Sequence, residues 1–160
     1  MPRTRVLERV QTVPRSLEHV FDFFSNAANL ARLSPPFVRF EIKTPEPITM
    51  QAGTVIEYRI RVHGIPLGWR TRIEEYTPRA RFVDEQIAGP YRAWRHEHEF
   101  ARVPGGTEIR DRVTYQMRFS LLGDIAHALF VARDLRRIFD YRAAAIERWM
   151  GSAPISHLPS

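Results

Sequence analysis

The stretch 86–119, QIAGPYRAWRHEHEFARVPGGTEIRDRVTYQMRF, decides the fold of this chain. Two runs of alternating residues, 91–102 and 107–119, flank a turn of sequence VPGG at 103–106. Alternation with a period of two is typical of half-buried β-strands, and a glycine-rich turn between two such runs indicates a hairpin. The stretch therefore predicts one long antiparallel β-hairpin.

Each arm of this hairpin has one core-like face and one charged face, because successive side chains of a strand point to opposite sides. The even positions of the first arm share the core-like face: Trp94, His96, His98 and Phe100. The odd positions of the second arm share it too: Ile109, Asp111, Val113, Tyr115, Met117 and Phe119. We expect these residues to face the interior of the protein.

The register of the hairpin brings polar side chains together in that interior. Folding about the turn sets His98 opposite Asp111 and Trp94 opposite Tyr115. A second imidazole, His96, lies on the same face. Burial of such groups costs free energy unless they are hydrogen-bonded or charge-paired, so this face is where we expect function.

Length and composition indicate one domain. A chain of 160 residues can bury a sizeable core, and we predict a single domain at 1–151 followed by a loose tail at 152–160. There is no cysteine, which excludes disulfides and thiolate chemistry and is compatible with a reducing cytoplasm. No apolar run approaches the roughly 20 residues that span a bilayer. We expect a cytoplasmic protein.

The charge balance is basic but dispersed. The formal net charge is +6, and Lys43 is the only lysine, so nearly all of the positive charge is arginine. The arginines alternate with acidic residues along the strands, and the aromatic residues fall on the buried faces. A nucleic-acid surface would present aromatics among its basic residues, so the pattern favours an ordinary solvated surface.

The rest of the chain predicts more strands and three helices. Ser16 caps a short helix after the first strand, and a second short helical piece follows at 27–33. The further strands are expected at 37–43, 55–63, 69–76 and 82–88, with a turn at 64–68 before the third of them. Six or seven antiparallel strands in sequence imply one curved, meandering sheet.

The last predicted element is a long helix. Asp124 is placed as its N-cap, and one apolar stripe runs down it to Trp149: Ile125, Ala128, Leu129, Ala132, Leu135, Phe139, Ala143 and Ile146. A helix of about 25 residues spans roughly 37 Å, long enough to cross a whole sheet. Arg142 lies among apolar neighbours, so it either extends its head to water or points inward to an anion.

This order of elements resembles the START-like helix-grip fold, and the sequence motifs resemble the SRPBCC superfamily. The likeness is closest to its bacterial ligand-binding branch, near the polyketide-cyclase and coenzyme-Q-binding START families. The matching motifs are Leu33-Ser34-Pro35-Pro36, Gln86-x-x-Gly89-Pro90, Trp94-x-His96-x-His98-x-Phe100, Asp111-x-Val113-x-Tyr115 and Ile138-Phe139-x-Tyr141-Arg142. They cover most of the chain.

The resemblance implies an α+β fold in which the sheet curls around the long helix and encloses a ligand cavity. It implies a small hydrophobic or amphipathic ligand such as a lipid, an isoprenoid quinone or a polyketide, with no cofactor. Oligomeric state and ligand identity stay open. The residues that we expect at the cavity are Tyr58, Trp69, Gln86, Trp94, His96, His98, Asp111, Tyr115, Phe139 and Arg142.

Three alternatives are weighed against simple binding. A cyclase or dehydratase would use His98 held by Asp111 as the base and Tyr115 to polarise a carbonyl. His96 and His98 have the spacing of two strand imidazoles on one metal, with Asp111 as a third ligand, but two same-face histidines are a weak signal and no metal is predicted. A protein or nucleic-acid interaction module is the remaining class.

Overall fold

A seven-stranded antiparallel sheet forms the body of the protein. The computed structural model describes residues 2–151, so the tail predicted at 152–160 lies outside the described residues. The strands are β1 Thr4–Val13, β2 Glu41–Ile42, β3 Val55–Val62, β4 Ile65–Thr77, β5 Arg81–Ala88, β6 Ala93–Val103 and β7 Gly106–Gln116. Their order across the sheet is β1-β7-β6-β5-β4-β3-β2. The predicted α+β helix-grip fold is confirmed.

The central hairpin has the predicted register. β6 and β7 pair with His98 opposite Asp111 and Trp94 opposite Tyr115. The loop between them is two residues long, and Gly105 adopts a φ of 84°, a value that L side chains rarely tolerate. A two-residue loop fixes the pairing of its strands, so the turn sequence determines which side chains share the interior face.

Two short helices follow β1, as predicted. Helix α1 spans Leu17–Phe24, and the Ser16 hydroxyl accepts a hydrogen bond of 3.2 Å from the backbone N–H of His19. A 3₁₀-helix then spans Ala27–Leu33. The apolar side of α1 packs with the far end of the C-terminal helix in one core cluster. The same cluster includes Phe82 of β5 and Phe100 of β6, near one end of these strands, so α1 packs on that end of the sheet.

The strand predicted at 37–43 is wrong over most of its length. Pro36–Val38 forms a 3₁₀ turn, and Arg39 has a left-handed φ of 47°. Proline favours the first turn of a helix and cannot donate to a strand ladder, so the chain curls here. The strand is reduced to β2.

The turn predicted at 64–68 is also wrong. The chain reverses at His63 and Gly64, which have φ values of 50° and 78°, and β4 already begins at Ile65. Two consecutive positive φ values match the right-handed twist of the flanking strands. The β3–β4 hairpin is therefore longer than predicted, and its tip reaches the C-terminal helix.

The C-terminal helix begins earlier than predicted. It consists of α2 Ser120–Ala126, a π-helical segment His127–Val131 and α3 Ala132–Met150. Asp124 is not its N-cap but lies inside α2, where it pairs with Arg5 of β1. The described residues include no helix that is both long enough and apolar enough to cross a membrane.

The predicted apolar stripe does not stay on one face of this helix. Leu135, Phe139 and Ile146 are buried as predicted, whereas Ile125 and Leu129 are 49% and 61% exposed. A π-helical segment holds more residues per turn than an α-helix, so side chains before it fall out of phase with those after it. Phe119, predicted on the core-like face of the hairpin, is exposed as well, because β7 ends at Gln116.

Candidate ligand-binding cavity

A cavity of about 520 Å³ lies between the sheet and helix α3. Its wall is mainly apolar and aromatic, and it is formed by β3, β4, β5, β6, α3 and the short helices. Cavities of about 300–1,000 Å³ with few polar groups are typical of sites for small molecules. The expected space between sheet and helix is thus present in the structure.

Most of the residues predicted at the cavity lie on its wall. These are Tyr58, Trp69, Trp94, His96, His98, Phe139 and Arg142. The rings of Trp69 and Trp94 meet edge to face at 5.3 Å, and Tyr58 stacks on Trp69 at 5.8 Å. Adjacent aromatic rings give this part of the wall a rigid apolar surface.

The other three predicted residues do not line the cavity. The Gln86 amide donates to the carbonyl of Tyr91 at 2.8 Å and accepts from its N–H at 3.1 Å, so it braces the loop before β6. Tyr115 is buried, but its hydroxyl lies 2.8 Å from Nε2 of His127. Asp111 lies behind the histidines rather than on the wall.

His96 and His98 are held by two different carboxylates. Nε2 of His96 lies 2.9 Å from Oδ1 of Asp111, and Nε2 of His98 lies 2.8 Å from Oδ2 of Asp84. The two rings overlap with centroids 3.7 Å apart. Nδ1 of His98 lies 3.1 Å from Asp111 but out of line for a hydrogen bond, so that pair is a charge contact. The predicted His98–Asp111 pair is therefore one contact within a larger network.

Arg142 points inward, which resolves the alternative left open by the sequence. Its Nε lies 3.2 Å from Oδ2 of Asp111, and its Nη2 lies 3.3 Å from Oδ1. The residue is 7% exposed. Hydrogen bonds to additional partners offset the cost of burying an ion pair, and Asp111 has one such partner in His96.

Asp84 was missed by the sequence analysis. It lies on the cavity wall, and its Oδ1 is 3.3 Å from the Thr71 hydroxyl. The alternation of residues along β5 could have indicated it, because Phe82, Asp84 and Gln86 share the interior face of that strand. A carboxylate on such a face needs a partner, and the neighbouring strand supplies His98.

The two carboxylates of the network are held ionised. Burial alone would raise the pKa of Asp111, but the charge of Arg142 and the two histidines outweigh it and hold the pKa well below its ordinary value. Burial acts in the same direction on Asp84, and the hydrogen bond from His98 lowers its pKa. Both aspartates therefore carry a negative charge at neutral pH.

The two histidines are shifted in opposite directions. Burial lowers the pKa of His96, and the charge of the adjacent His98 lowers it further. Burial would also lower the pKa of His98, but its contact with the Asp111 carboxylate and its hydrogen bond to Asp84 outweigh it and raise the pKa. These directions favour a proton on His98 over one on His96, and a protonated His98 together with Arg142 would balance the charges of the two aspartates.

This protonation pattern leaves a hydrogen-bond acceptor on the cavity wall. A neutral imidazole has one N–H, and a carboxylate requires a donor, so Nε2 of His96 carries the proton toward Asp111. Nδ1 of His96 then carries a lone pair, and it makes no hydrogen bond to any residue in 2–151. The wall also holds donors that make no hydrogen bond in that range, among them the indole N–H of Trp69 and Nδ1 of His98 when that ring is protonated.

Among residues 2–151, Asp84, His96 and His98 form a group that could hold a metal ion. One ligand atom from each lies within 4.8 Å of the others. Both Nε2 atoms are engaged with carboxylates, so a metal would either bind through Nδ1 or displace these hydrogen bonds. The sequence analysis considered Asp111 as the third ligand, whereas the geometry favours Asp84.

Lining residues that are exposed to solvent, among them Phe37, His63 and Arg137, show where the cavity opens. Nε2 of His63, at the tip of the β3–β4 hairpin, lies 2.7 Å from Oδ2 of Asp134 in α3. The guanidinium of Arg137 lies 4.6 Å above the ring of Phe37. All four residues line the cavity, so two contacts to α3 bridge its entrance. No sequence pattern indicated either contact.

Comparison with known proteins identifies the family. Residues 13–140 match the model of a family described as polyketide cyclase / dehydrase and lipid transport. The chain belongs to this family. The predicted resemblance to the SRPBCC superfamily is confirmed. No curated protein matches the sequence significantly.

Several solved structures share the fold of this family member. The Zhui aromatase/cyclase from a Streptomyces species is 16% identical, with a TM-score of 0.64, and the match covers 92% of this chain and 96% of that one. The major latex-like protein 151 of Panax ginseng is 8% identical, with a TM-score of 0.67 and coverage of 92% and 97%. Both comparisons show a common fold.

A third structure contains this fold as one part of a longer protein. The nucleoside-diphosphate sugar epimerase from Corynebacterium glutamicum is 26% identical over 89% of this chain, with a TM-score of 0.66. The match covers 28% of the epimerase chain. This family member thus corresponds to a minor part of that protein.

Proposed function

We propose that this protein binds a small, mostly apolar molecule in the cavity, with a hydroxyl group of the ligand donating to Nδ1 of His96. The observation that carries the proposal is the buried polar cluster of Asp84, His96, His98 and Arg142 on a mainly apolar wall. Apolar walls supply affinity, and a few placed polar groups supply orientation. The family description, which includes lipid transport, supports the same class of ligand.

The neutrality of the network limits the chemistry of the buried end of the ligand. When His98 is protonated, His98 and Arg142 balance Asp84 and Asp111, so a charged ligand group would enter the interior without a counter-ion. Burial of an unpaired charge is strongly unfavourable. We therefore propose an uncharged hydroxyl or phenol, as in a quinol, a sterol-like lipid or an aromatic polyketide.

An enzymatic role is the second candidate, and one observation favours it. A neutral imidazole with a free Nδ1, held by a carboxylate, is the arrangement of a general base. The sequence pattern suggested His98 with Tyr115 for this task, but His98 faces carboxylates and Tyr115 lies off the cavity. In a cyclase or dehydratase the base would be His96, accepting a proton from the carbon beside a carbonyl.

The binding proposal is tested with a matched pair of probes. 1-Naphthol and 1-methylnaphthalene have similar shapes, and the first carries a hydroxyl group. Binding is followed by the fluorescence of Trp69 and Trp94, which lie on the wall. We expect 1-naphthol to bind about tenfold more tightly, the effect of a net hydrogen bond of about 1.4 kcal/mol.

The variant His96→Gln should remove most of this preference, and the control His19→Gln, on the exposed side of α1, should keep it. Thermal unfolding of both variants checks that they fold. Equal affinity for the two probes in the wild type, or a preference that survives His96→Gln, would contradict the proposal. Native mass spectrometry of protein from its own host would then identify the ligand.

A further inference from the structure

The N-terminal part of the C-terminal helix exposes a continuous apolar surface. Six large apolar side chains between 119 and 130 are 49% to 77% exposed. We call them the apolar patch: Phe119, Leu121, Leu122, Ile125, Leu129 and Phe130. Isolated exposed apolar residues are ordinary, but a contiguous group marks a surface that contacts something else.

The orientation of the patch is fixed by the residues on the opposite side of the helix. Gly123 is buried, and a Cβ there would lie 2.2 Å from the carbonyl oxygen of Arg118. His127 is held by the Tyr115 hydroxyl. With these positions facing the sheet, residues at 121, 125 and 129, four apart, must point outward. The exposure is therefore built into the fold.

Basic residues that make no ion pair within 2–151 flank the apolar patch in sequence, and one of them, Arg118, donates to the backbone carbonyls of Gly89 and Pro90. Arg118, Arg133 and Arg136 are exposed, and within 2–151 none of them lies in ion-pair distance of a carboxylate. The nearby acidic groups are already engaged, Asp124 by Arg5 and Asp134 by His63. The rim of the patch is thus positively charged.

The patch is continuous with the cavity entrance. Phe130 packs against His63 with ring centroids 6.1 Å apart, and the neighbouring Val131 lines the cavity. His63 is the residue that bridges the mouth to Asp134. Whatever covers the patch therefore lies against the opening through which a ligand would pass.

We propose that the apolar patch docks onto an anionic lipid bilayer. A helix that presents Phe and Leu flanked by basic side chains inserts its apolar face among lipid headgroups, and its cations interact with anionic lipids. This matches both the apolar patch and its arginine rim. Docking would allow the cavity to exchange ligand with the bilayer, and this role rests on the proposed function. Docking itself is measured separately.

A second copy of this chain fits the patch less well. A twofold interface places the same surface on both partners, which would set the arginine rims of the two copies near each other. Like charges across an interface disfavour association. The charge arrangement thus favours an anionic partner over self-association.

The test is flotation with two kinds of vesicle, pure phosphatidylcholine and an equal mixture with phosphatidylglycerol. We expect the wild type to float with the mixed vesicles. The double variant Leu121→Ser/Leu122→Ser should bind them at least tenfold more weakly. The matched control Val6→Ser/Val10→Ser changes exposed apolar residues on β1, where both are about half exposed, and should bind like the wild type.

The charge arm uses Arg133→Gln/Arg136→Gln, which should weaken binding to mixed vesicles and reduce its salt dependence. Absence of wild-type flotation would overturn the proposal. Sedimentation that shows a dimer dissociated by Leu121→Ser/Leu122→Ser, without vesicle binding, would replace it with self-association. The affinity of Leu121→Ser/Leu122→Ser for 1-naphthol should equal that of the wild type. This measurement separates a failure of membrane docking from a failure of ligand binding in the cavity.

Discussion

Nε2 of His98 lies 2.8 Å from Oδ2 of Asp84, a residue of the neighbouring strand β5. The same ring has Asp111 on its other side, 3.1 Å from Nδ1. One imidazole thus lies between two carboxylates, whereas the adjacent His96 contacts one. This asymmetry explains why two histidines only two residues apart are expected to hold protons differently.

We predict that the two histidines titrate on opposite sides of their ordinary pKa of 6.5. The pKa of His96 should be lowered, because burial and the charge of His98 disfavour its protonation. The pKa of His98 should be raised, because its carboxylates outweigh burial. NMR titration of the imidazole carbons measures both values, and the two rings titrating together near 6.5 would contradict the assignment.

The stability effect of Asp84→Asn should depend on pH. A raised pKa in the folded state means that protonated His98 stabilises the fold fully below pH 6.5, and that this contribution is lost as the pH rises through the raised value. Asp84→Asn removes one of its anions. The loss in free energy of unfolding should be larger at pH 6 than at pH 9, measured by urea unfolding.

The matching control is Asp140→Asn, an exposed carboxylate that pairs with Arg9 on the surface. Its effect should be small and nearly independent of pH over the same range. A pH-independent effect of Asp84→Asn would show that His98 is neutral throughout. The two native carboxylates stabilise the fold above their ordinary pKa, and this contribution is lost only in acid, as the pH falls through their lowered pKa values.

Asp111→Asn should be strongly destabilising. It leaves the buried guanidinium of Arg142 without an anion, and loss of one partner of a buried ion pair costs about 3–5 kcal/mol. The exposed Asp140→Asn should cost about 0–1 kcal/mol. Urea unfolding measures both. Adding Arg142→Met to Asp111→Asn should recover part of the loss, and no recovery would indicate that the carboxylate acts mainly through the histidines.

Gly106→Ala should destabilise the β1 edge of the sheet. A Cβ at Gly106 would lie 1.9 Å from the carbonyl oxygen of Val13, so the hairpin and β1 must separate. We expect a loss of about 1–3 kcal/mol in the free energy of unfolding. Gly68→Ala is the control, since a Cβ there meets nothing within 4 Å, and it should be neutral or slightly stabilising.

His63→Ala should speed the exit of a bound ligand. It removes the His63–Asp134 contact at the mouth, and an exposed pair of this kind contributes up to about 1 kcal/mol, or about fivefold in rate. Stopped-flow displacement of 1-naphthol measures the dissociation rate. Lys43→Ala breaks the exposed Lys43–Glu41 pair away from the cavity and should leave the rate unchanged.

The hairpin could be predicted in detail because its determinants are local. The turn sequence at 103–106 fixes the loop length, and alternation fixes the face, so the pairing of His98 with Asp111 follows from a short stretch. Burial of Tyr115 was predicted correctly for the same reason. Parity gives the face of a strand but not the position along it, so it did not show that Tyr115 lies beyond the cavity.

The hydrogen-bond partners across β5 and β6 could not be predicted in the same way. The two strands are joined by a loop at 89–92, whose length leaves the register open. The neighbouring β4–β5 pairing also contains two irregular steps, which interrupt simple alternation. Asp84 was therefore visible as an interior carboxylate but not as the partner of His98.

The π-helical segment His127–Val131 could not be predicted from a pattern of 3.6 residues per turn. It nevertheless determines which side chains are exposed before it and which are exposed after it. Deleting one residue within it would turn Ser120–Ala126 by about 100° about the helix axis relative to α3. Leucines that now meet solvent would swing toward the protein, and the buried glycine would swing out. One extra residue in the π-helical segment thus allows the C-terminal helix to cover the cavity with α3 and to expose the apolar patch on its N-terminal part.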